Sequence, residues 1–326
     1  MSQESSYPIG TPGIPWGDNE KQQWRQSQII HRSYQQQVVE KINALGDQFG
    51  SMYMGYLIFS VLVVIIMWVG QFITVVGVVE PKRIIKEDSH TSLRDLVTAI
   101  FKNDQLMVTG ISMALFMIGY TTTASFGLYF FKYAYGDEGM YSIFALILGI
   151  SQIIALAFFP ILGKKVERKI LYRYATILVV VGYIIFFFSP MNMIYIGLAG
   201  ILLFVGQAFI QILMLMFLAD TIEYGQLKLG RRNESVTFSI QPFINKMGGA
   251  IASGVVGVTV ILSGINDAVI PSDVSKEGLF LLKLAMMIFP LICIFSGYMI
   301  YRKRYIIDAK LYDDILKQLR DKGDLL

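Results

Sequence analysis

The sequence predicts an all-α fold of the polytopic membrane class with seven transmembrane helices, and three observations carry that expectation. Of 326 residues, 54% are hydrophobic and 16% charged, with a mean hydropathy of +0.54; a soluble domain is about 45–50% apolar and roughly 25% charged. The apolar residues fall in blocks of about 20 or more, enough helix to cross roughly 30 Å of hydrocarbon. Basic residues gather in alternate connecting loops, the pattern that membranes impose on charge. Helices are expected rather than strands, because a lipid-exposed segment must satisfy its own backbone hydrogen bonds. The runs are also too long for barrel strands.

Residues 1–52 are polar, with no early apolar run of the signal-peptide kind. Within them Tyr7–Gly17 (YPIGTPGIPWG) reads as loop. Ile30, Tyr34, Val38, Ile42 and Leu45 then recur at helical spacing and suggest an amphipathic helix, either a lid over an external mouth or a helix resting on the membrane or the bundle. Residues 53–79 form the first span and 80–104 a central basic loop. Residues 105–301 form a six-helix bundle with spans at Gln105–Tyr133, Tyr141–Gly163, Tyr174–Ser189, Met193–Leu218, Val236–Ser263 and Leu279–Tyr301. Residues 302–326 form a tail in which Ile306, Leu311, Ile315, Leu316 and Leu319 predict a surface helix.

Orientation follows from the loops. Lys82, Arg83, Lys86, Arg94 and Lys102 follow the first span, and Lys164, Lys165, Arg168, Lys169 and Arg173 follow the third. Lys228, Arg231 and Arg232 follow the fifth, and Arg302, Lys303 and Arg304 the last, whereas the alternate loops hold Lys132 and Lys276. These basic loops and the C-terminus are therefore expected in the cytoplasm of a cell whose plasma or inner membrane holds the protein. Seven spans then place residues 1–52 outside, which is simplest if other spans come before them. The sequence is expected to be the later part of a longer transporter.

Ionisable residues at membrane depth are costly and point to function. No Asp or Glu lies inside an expected span, since Asp104, Asp220 and Glu223 fall at the ends. Lys246 stands about ten residues into the sixth span, roughly 15 Å deep. Lys283 is nearer an end and can snorkel. Gln241 and Asn245 share a helix face beside Lys246, Pro242 loosens the local backbone ladder, and the following glycines and Ser253 permit close helix approach. Lys246 thus either lines a polar cavity or serves as an interhelical ion-pair partner. Gln152, Gln207 and Gln211 either face the same cavity or bond helix to helix. A second dense feature is the loop carrying Asp220, Glu223, Tyr224, Arg232 and Glu234, whose mixed charges suit ion pairs that break and reform, or simply a solvated loop. No nucleophile–base pair or His/Asp cluster supports an enzyme. One cysteine, Cys293, and two histidines cannot make a disulfide or a thiol-pair metal site. No catalytic residue, metal, cofactor or nucleic-acid partner is expected.

These stretches also carry a family resemblance. The run ADTIEYGQLKLGRRNES (219–235), followed by Gln241 and Lys246-Met-Gly-Gly, resembles the glycoside–pentoside–hexuronide:cation symporters of the major facilitator superfamily. The entry Phe101-Lys-Asn-Asp-Gln105, the ending Tyr-Phe-Phe-Lys-Tyr-Ala-Tyr-Gly136-Asp137 and the basic loop Gly163–Lys169 match as well, so the resemblance covers about Gly55 onward. It implies that the seven spans correspond to helices 6–12 of a twelve-helix transporter. It implies further that Lys246 links the sugar and coupling-cation sites, that Gln241 lies at the sugar pocket, and that Asp220, Glu223, Tyr224, Arg232 and Glu234 belong to a cytoplasmic gate. Gln211 stands where melibiose carriers have tryptophan, and Pro242 where they have a hydroxyl residue. The expected substrate is therefore another glycoside, pentoside or uronide. The coupling Na⁺ or H⁺ is expected to bind mainly in an N-terminal half, which this chain would need as a partner beside the lipid bilayer.

Other readings remain at this level. A fragment without transport activity would have the same sequence. A seven-helix receptor shares the span count, while a retinal protein would need a central lysine in the last helix and a carboxylate counter-ion.

Overall fold

The computed structural model describes residue 50 and residues 53–77, 100–268 and 270–323. The expected amphipathic helix within 1–52 and the basic residues Lys82, Arg83, Lys86 and Arg94 lie outside the described residues. The chain divides into two units, Met1–Glu87 and Asp88–Leu326. In the first, α1 (Tyr53–Gly77) is a continuous apolar helix of 25 residues. Its Thr74 hydroxyl donates to the Gly70 carbonyl at 2.9 Å, which satisfies a polar group without leaving the helix.

The second unit contains α2 (Asp104–Tyr135), α3 (Met140–Lys165), α4 (Arg168–Phe188), α5 (Met193–Leu229), α6 (Glu234–Leu262) and α7 (Lys276–Arg304). A shorter helix, α8 (Ala309–Asp321), follows. Among the described residues seven helices, α1 to α7, are long and apolar enough to cross a membrane, and none is a strand. The fold is the all-α membrane class that the sequence predicts.

Two boundaries differ in an instructive way. Ala219–Leu229, read above as loop, continues α5 as helix. Leu218, Thr221, Ile222, Gly225 and Gln226 keep a buried stripe at three- and four-residue spacing, so the helix leaves the apolar zone without losing its packing face. It stops at Gly230, whose φ of +73° suits a residue lacking Cβ. Likewise α4 starts at Arg168 rather than Tyr174, because Leu171 and Tyr172 are already buried. In α8 the docked face is Ile315 and Leu319 together with the preceding Ile307, whereas Ile306 points outward at 52% exposure. Asp308 caps α8 by accepting the Leu311 N–H at 2.8 Å, and that bond holds its carboxyl below the usual range.

The bundle is built around α2 and α5. The first packs on α5, α6 and α7, the second on α2, α3, α4 and α6. Apolar side chains gain little by leaving lipid for one another, so close approach and polar bonds decide the packing. At the α4–α5 crossing a Cβ on Gly206 would lie 2.7 Å from the Ala175 carbonyl, and one on Gly182 would lie 2.9 Å from the Leu203 nitrogen. These two backbones meet because neither glycine has a side chain.

A buried polar chain ties four helices together near their middle. Pro290 removes the N–H that would bond the Met286 carbonyl, and α7 takes a π-helical turn over Leu284–Ile288 just before it. The Thr123 hydroxyl of α2 lies 3.1 Å from the freed Met286 carbonyl and 3.2 Å from the Gly119 carbonyl of its own helix, and shares its one proton between them. With that proton committed, the Tyr183 hydroxyl of α4 donates to Thr123 at 2.6 Å. The Gln207 amide of α5 in turn donates to Tyr183 at 3.3 Å. Thr123, Tyr183 and Gln207 are all nearly inaccessible. Gln207 therefore serves helix packing, the second of the two roles open to it.

Gly206→Ala should destabilise the bundle by about 1–3 kcal/mol through overpacking, seen as a lower unfolding midpoint in detergent micelles. Gly149→Ala, where a Cβ meets nothing within 4 Å, is the control and should leave the midpoint within about 0.5 kcal/mol of wild type.

Candidate functional site

Most outer faces of this bundle are aliphatic. On α3, Ile143, Leu146, Ile150, Ile153, Ile154 and Phe158 are all exposed, as befits a surface against lipid. Part of the exposed face of α6 differs. Its buried side is Thr237, Ile244, Gly248, Ala252 and Thr259, pressed on α2, where the Thr121 hydroxyl reaches the Gly248 carbonyl at 3.2 Å. On the opposite side Ser235, Ser239, Pro242, Lys246, Ala250, Ser253 and Gly257 are exposed. At 100° per residue they fall on one stripe centred on Lys246. A stripe of small and polar residues around an ammonium is a poor lipid face and a good wall for water or a polar ligand.

Asn245 and Gln241 lie about 100° and 140° around the helix from Lys246, toward the buried side; both are half-buried, and Gln211 on α5 is half-buried too. The Asn245 Oδ1 is buried and accepts no hydrogen bond. Among the described residues, the structure gives no hydrogen bond or ion pair to the side chains of Gln211, Gln241, Asn245 or Lys246, nor does it join them to one another. Lys246 has no carboxylate partner there, so the ion-pair alternative finds no support within the bundle. Gln152 of α3 is different, since its amide donates to the Tyr120 hydroxyl of α2 at 3.4 Å.

The second group lies where α2, α4 and α6 begin and α5 and α7 end. Its charges form three local clusters. Asp220, on α5, accepts both of its oxygens' bonds from one Arg168 nitrogen at 2.7 and 2.8 Å. The Tyr305 hydroxyl approaches the same carboxylate at 3.5 Å, and burial pushes that phenol up, which keeps it a neutral donor. Arg232 reaches Glu223 at 3.1 Å and Glu234 at 2.9 Å, and its guanidinium also donates to the Gln226 side-chain Oε1 at 3.3 Å. Burial alone would pull this guanidinium's pKa down, but Glu234 and Glu223 hold it above the ordinary value. Finally, Asp104 on α2 accepts from Lys228 at 2.5 Å and Tyr224 at 3.0 Å on α5.

Beside these, Asn103 caps α2 by accepting the Leu106 N–H at 3.0 Å and donates to the Thr221 carbonyl at 2.8 Å. Gly225 makes room for it, since a Cβ there would lie 2.6 Å from the Asn103 amide. Gln105 accepts the Ile306 N–H at 3.0 Å and so binds the chain leaving α7. The five residues Asp220, Glu223, Tyr224, Arg232 and Glu234 are thus brought to one end of the bundle, each engaged within it. Sequence reasoning missed their partners Arg168, Asp104 and Tyr305. No spacing rule links Arg168 to a carboxylate 52 positions later; the lone acid at the end of a long apolar run was the available signal.

The chain matches the family model described as MFS/sugar transport protein over residues 39–309, and it belongs to that family. It is 29% identical over 267 residues to a raffinose carrier protein of Pediococcus pentosaceus, covering 81% of this chain and 42% of that one. It is 29% identical over 281 residues to a lactose permease of Lactobacillus delbrueckii subsp. bulgaricus, covering 86% and 44%. An isoprimeverose transporter of Lactiplantibacillus pentosus is 24% identical over 212 residues, covering 64% and 44%. In each alignment less than half of the relative's length is spanned.

Arg168→Ala leaves the Asp220 carboxylate, 12% exposed, without its cation and should cost about 2–4 kcal/mol in detergent unfolding. Adding Asp220→Asn should recover part of that loss. Lys228→Ala breaks a pair that is about half exposed on both sides and should cost less than about 1 kcal/mol.

Proposed function

We propose, from the chain's family membership, that it forms the later bundle of a cation-coupled sugar symporter, corresponding to helices 6–12 of a twelve-helix transporter. The observation that carries this reading is the exposed stripe around Lys246, with the unpaired Asn245 Oδ1 and Gln241 on the adjoining half-buried face of the same helix. A sugar presents a ring of hydroxyls, each donor and acceptor. Gln211, Gln241 and Asn245 offer both functions, and their bonding capacity is unspent. The carriers named for raffinose, lactose and isoprimeverose support a small glycoside as substrate.

Lys246 then acts as the electrostatic link. An ammonium at membrane depth is stabilised when a carboxylate or a sugar hydroxyl approaches and is left costly when neither does. A cation arriving at carboxylates in the other half would compete with Lys246 for them, so that ion and sugar affinities become coupled. Among the described residues no acid lies beside Lys246, which accords with cation-binding carboxylates in an N-terminal half. Basic loops at one end support placing that end, and the C-terminus, in the cytoplasm of a cell-membrane protein. There the clusters at Asp220, Asp104 and Arg232 would serve as the gate, exchanging partners as the two bundles rock.

Uptake of labelled glycosides by vesicles holding the intact transporter tests this reading. Uptake should rise with an inward Na⁺, Li⁺ or H⁺ gradient, and uptake indifferent to all three would end the symport claim. Lys246→Ala should abolish gradient-driven accumulation, a drop of roughly a hundredfold or more for loss of about 3 kcal/mol of coupling. Unchanged accumulation would remove Lys246 from the mechanism. This chain alone in vesicles should show no gradient-driven uptake.

A further inference from the structure

The basic residues at the charged end of the bundle include some that are paired and some that are not. Arg168, Lys228 and Arg232 each end on a carboxylate. Arg173 of α4 and Arg302 of α7 are exposed, and neither has a carboxylate partner among the described residues. They are not scattered. Arg173 directly follows Tyr172, and Arg302 directly follows Tyr301, whose rings meet edge to face at 4.8 Å. Tyr172 also meets Tyr298 at 5.2 Å. The two guanidinium-bearing residues therefore flank one seam, where α4 packs on α7 over a floor of tyrosine rings.

Each arginine also closes an apolar stripe. On α4 Arg173 stands in register with the exposed Ile177, Val181, Ile184 and Phe188. On α7 Arg302 stands in register with the exposed Ile292 and Phe295. These spacings of three, four and seven residues define a single face of each helix. Each helix thus presents an exposed apolar face beside the seam, and that face ends in a cation at headgroup level. Tyr174, 60% exposed beside Arg173, is the kind of ring that sits at that interface. A third cation, Lys169, lies further out over the Tyr305 ring at 5.7 Å and is already held near Asp308.

We infer that the α4–α7 seam binds the phosphate of an anionic phospholipid between Arg173 and Arg302, with the acyl chains along the apolar stripes above. A phosphodiester matches the planar fork of a guanidinium better than a point cation does. Basic clusters between membrane helices bind such headgroups in this way. The site is independent of transport, because it lies on the aliphatic outside of α4 and α7 and not on the Lys246 stripe.

Native mass spectrometry of the purified chain, with phosphatidylglycerol or phosphatidylcholine supplied in the micelle, reads the site directly. The wild-type chain should retain phosphatidylglycerol with roughly thirtyfold preference, from two cations at the headgroup. Arg173→Gln with Arg302→Gln should bring the preference within about threefold, whereas Lys164→Gln with Lys165→Gln should leave it unchanged. Arg173→Lys with Arg302→Lys keeps the charge and should retain at least about tenfold preference, so that a folding failure of the glutamine pair does not decide the matter. Equal retention of both lipids by the wild-type chain would overturn the inference, as would undiminished preference in the glutamine variant. Release of the bound lipid by soluble glycerol phosphate at matched concentration would assign the seam to a soluble anion instead.

Discussion

Pro290 deprives one carbonyl of its helical donor, and a buried polar chain from three other helices reaches the site of that loss. The Met286 oxygen sits in a region where water cannot compensate for a lost bond. Thr123, Tyr183 and Gln207 supply the replacement in sequence, each passing a donor to the next. Because the four groups belong to α7, α2, α4 and α5, satisfying one carbonyl sets the mutual height of four helices. The alternative is a buried unsatisfied group costing about 1–3 kcal/mol. Apolar contact alone could not set that height, since lipid offers it equally well in any register.

Around that centre the two ends of the bundle use different chemistry. Away from the charged loops, Phe130, Phe131, Phe144, Phe186 and Phe204 form a continuous ring cluster with centroids 5.1–5.7 Å apart in successive pairs. At the charged end, ion pairs and tyrosines replace the phenylalanines, and the α5 extension carries most of them. An aromatic cluster resists sliding, whereas charged groups near water can exchange partners at small cost. The two ends of the bundle thus differ in how firmly their contacts are fixed.

Legibility in the sequence varied by element. All seven spans were readable, since each rests on composition over about 20 residues. The end of α5 was not, because polarity was read as loop, although the buried spacing of Leu218, Ile222 and Gly225 carries a helix through it. Ile306 was assigned to the docked stripe of α8, and its neighbour Ile307 takes that place, a one-residue error that the irregular entry to a helix invites. The candidate site was legible as residue types, an ammonium and three amides in apolar surroundings. Its division into spent and unspent hydrogen bonds was not, for Gln207 and Gln211 look alike in the chain until Tyr183 is placed beside one of them.

The sequence by itself determined the membrane class, the number of spans, the charged end and the family, because all four depend on local composition and ordered motifs. Tertiary structure alone decided which polar groups are already satisfied. Arg168 meets Asp220, Asp104 meets Lys228, and Thr123 meets Met286, each across more than 50 positions. In hydrocarbon a polar group must find a partner, but chain order does not say which one. Helix packing makes that choice, and among the described residues it leaves the Asn245 Oδ1 and the Lys246 ammonium without a partner.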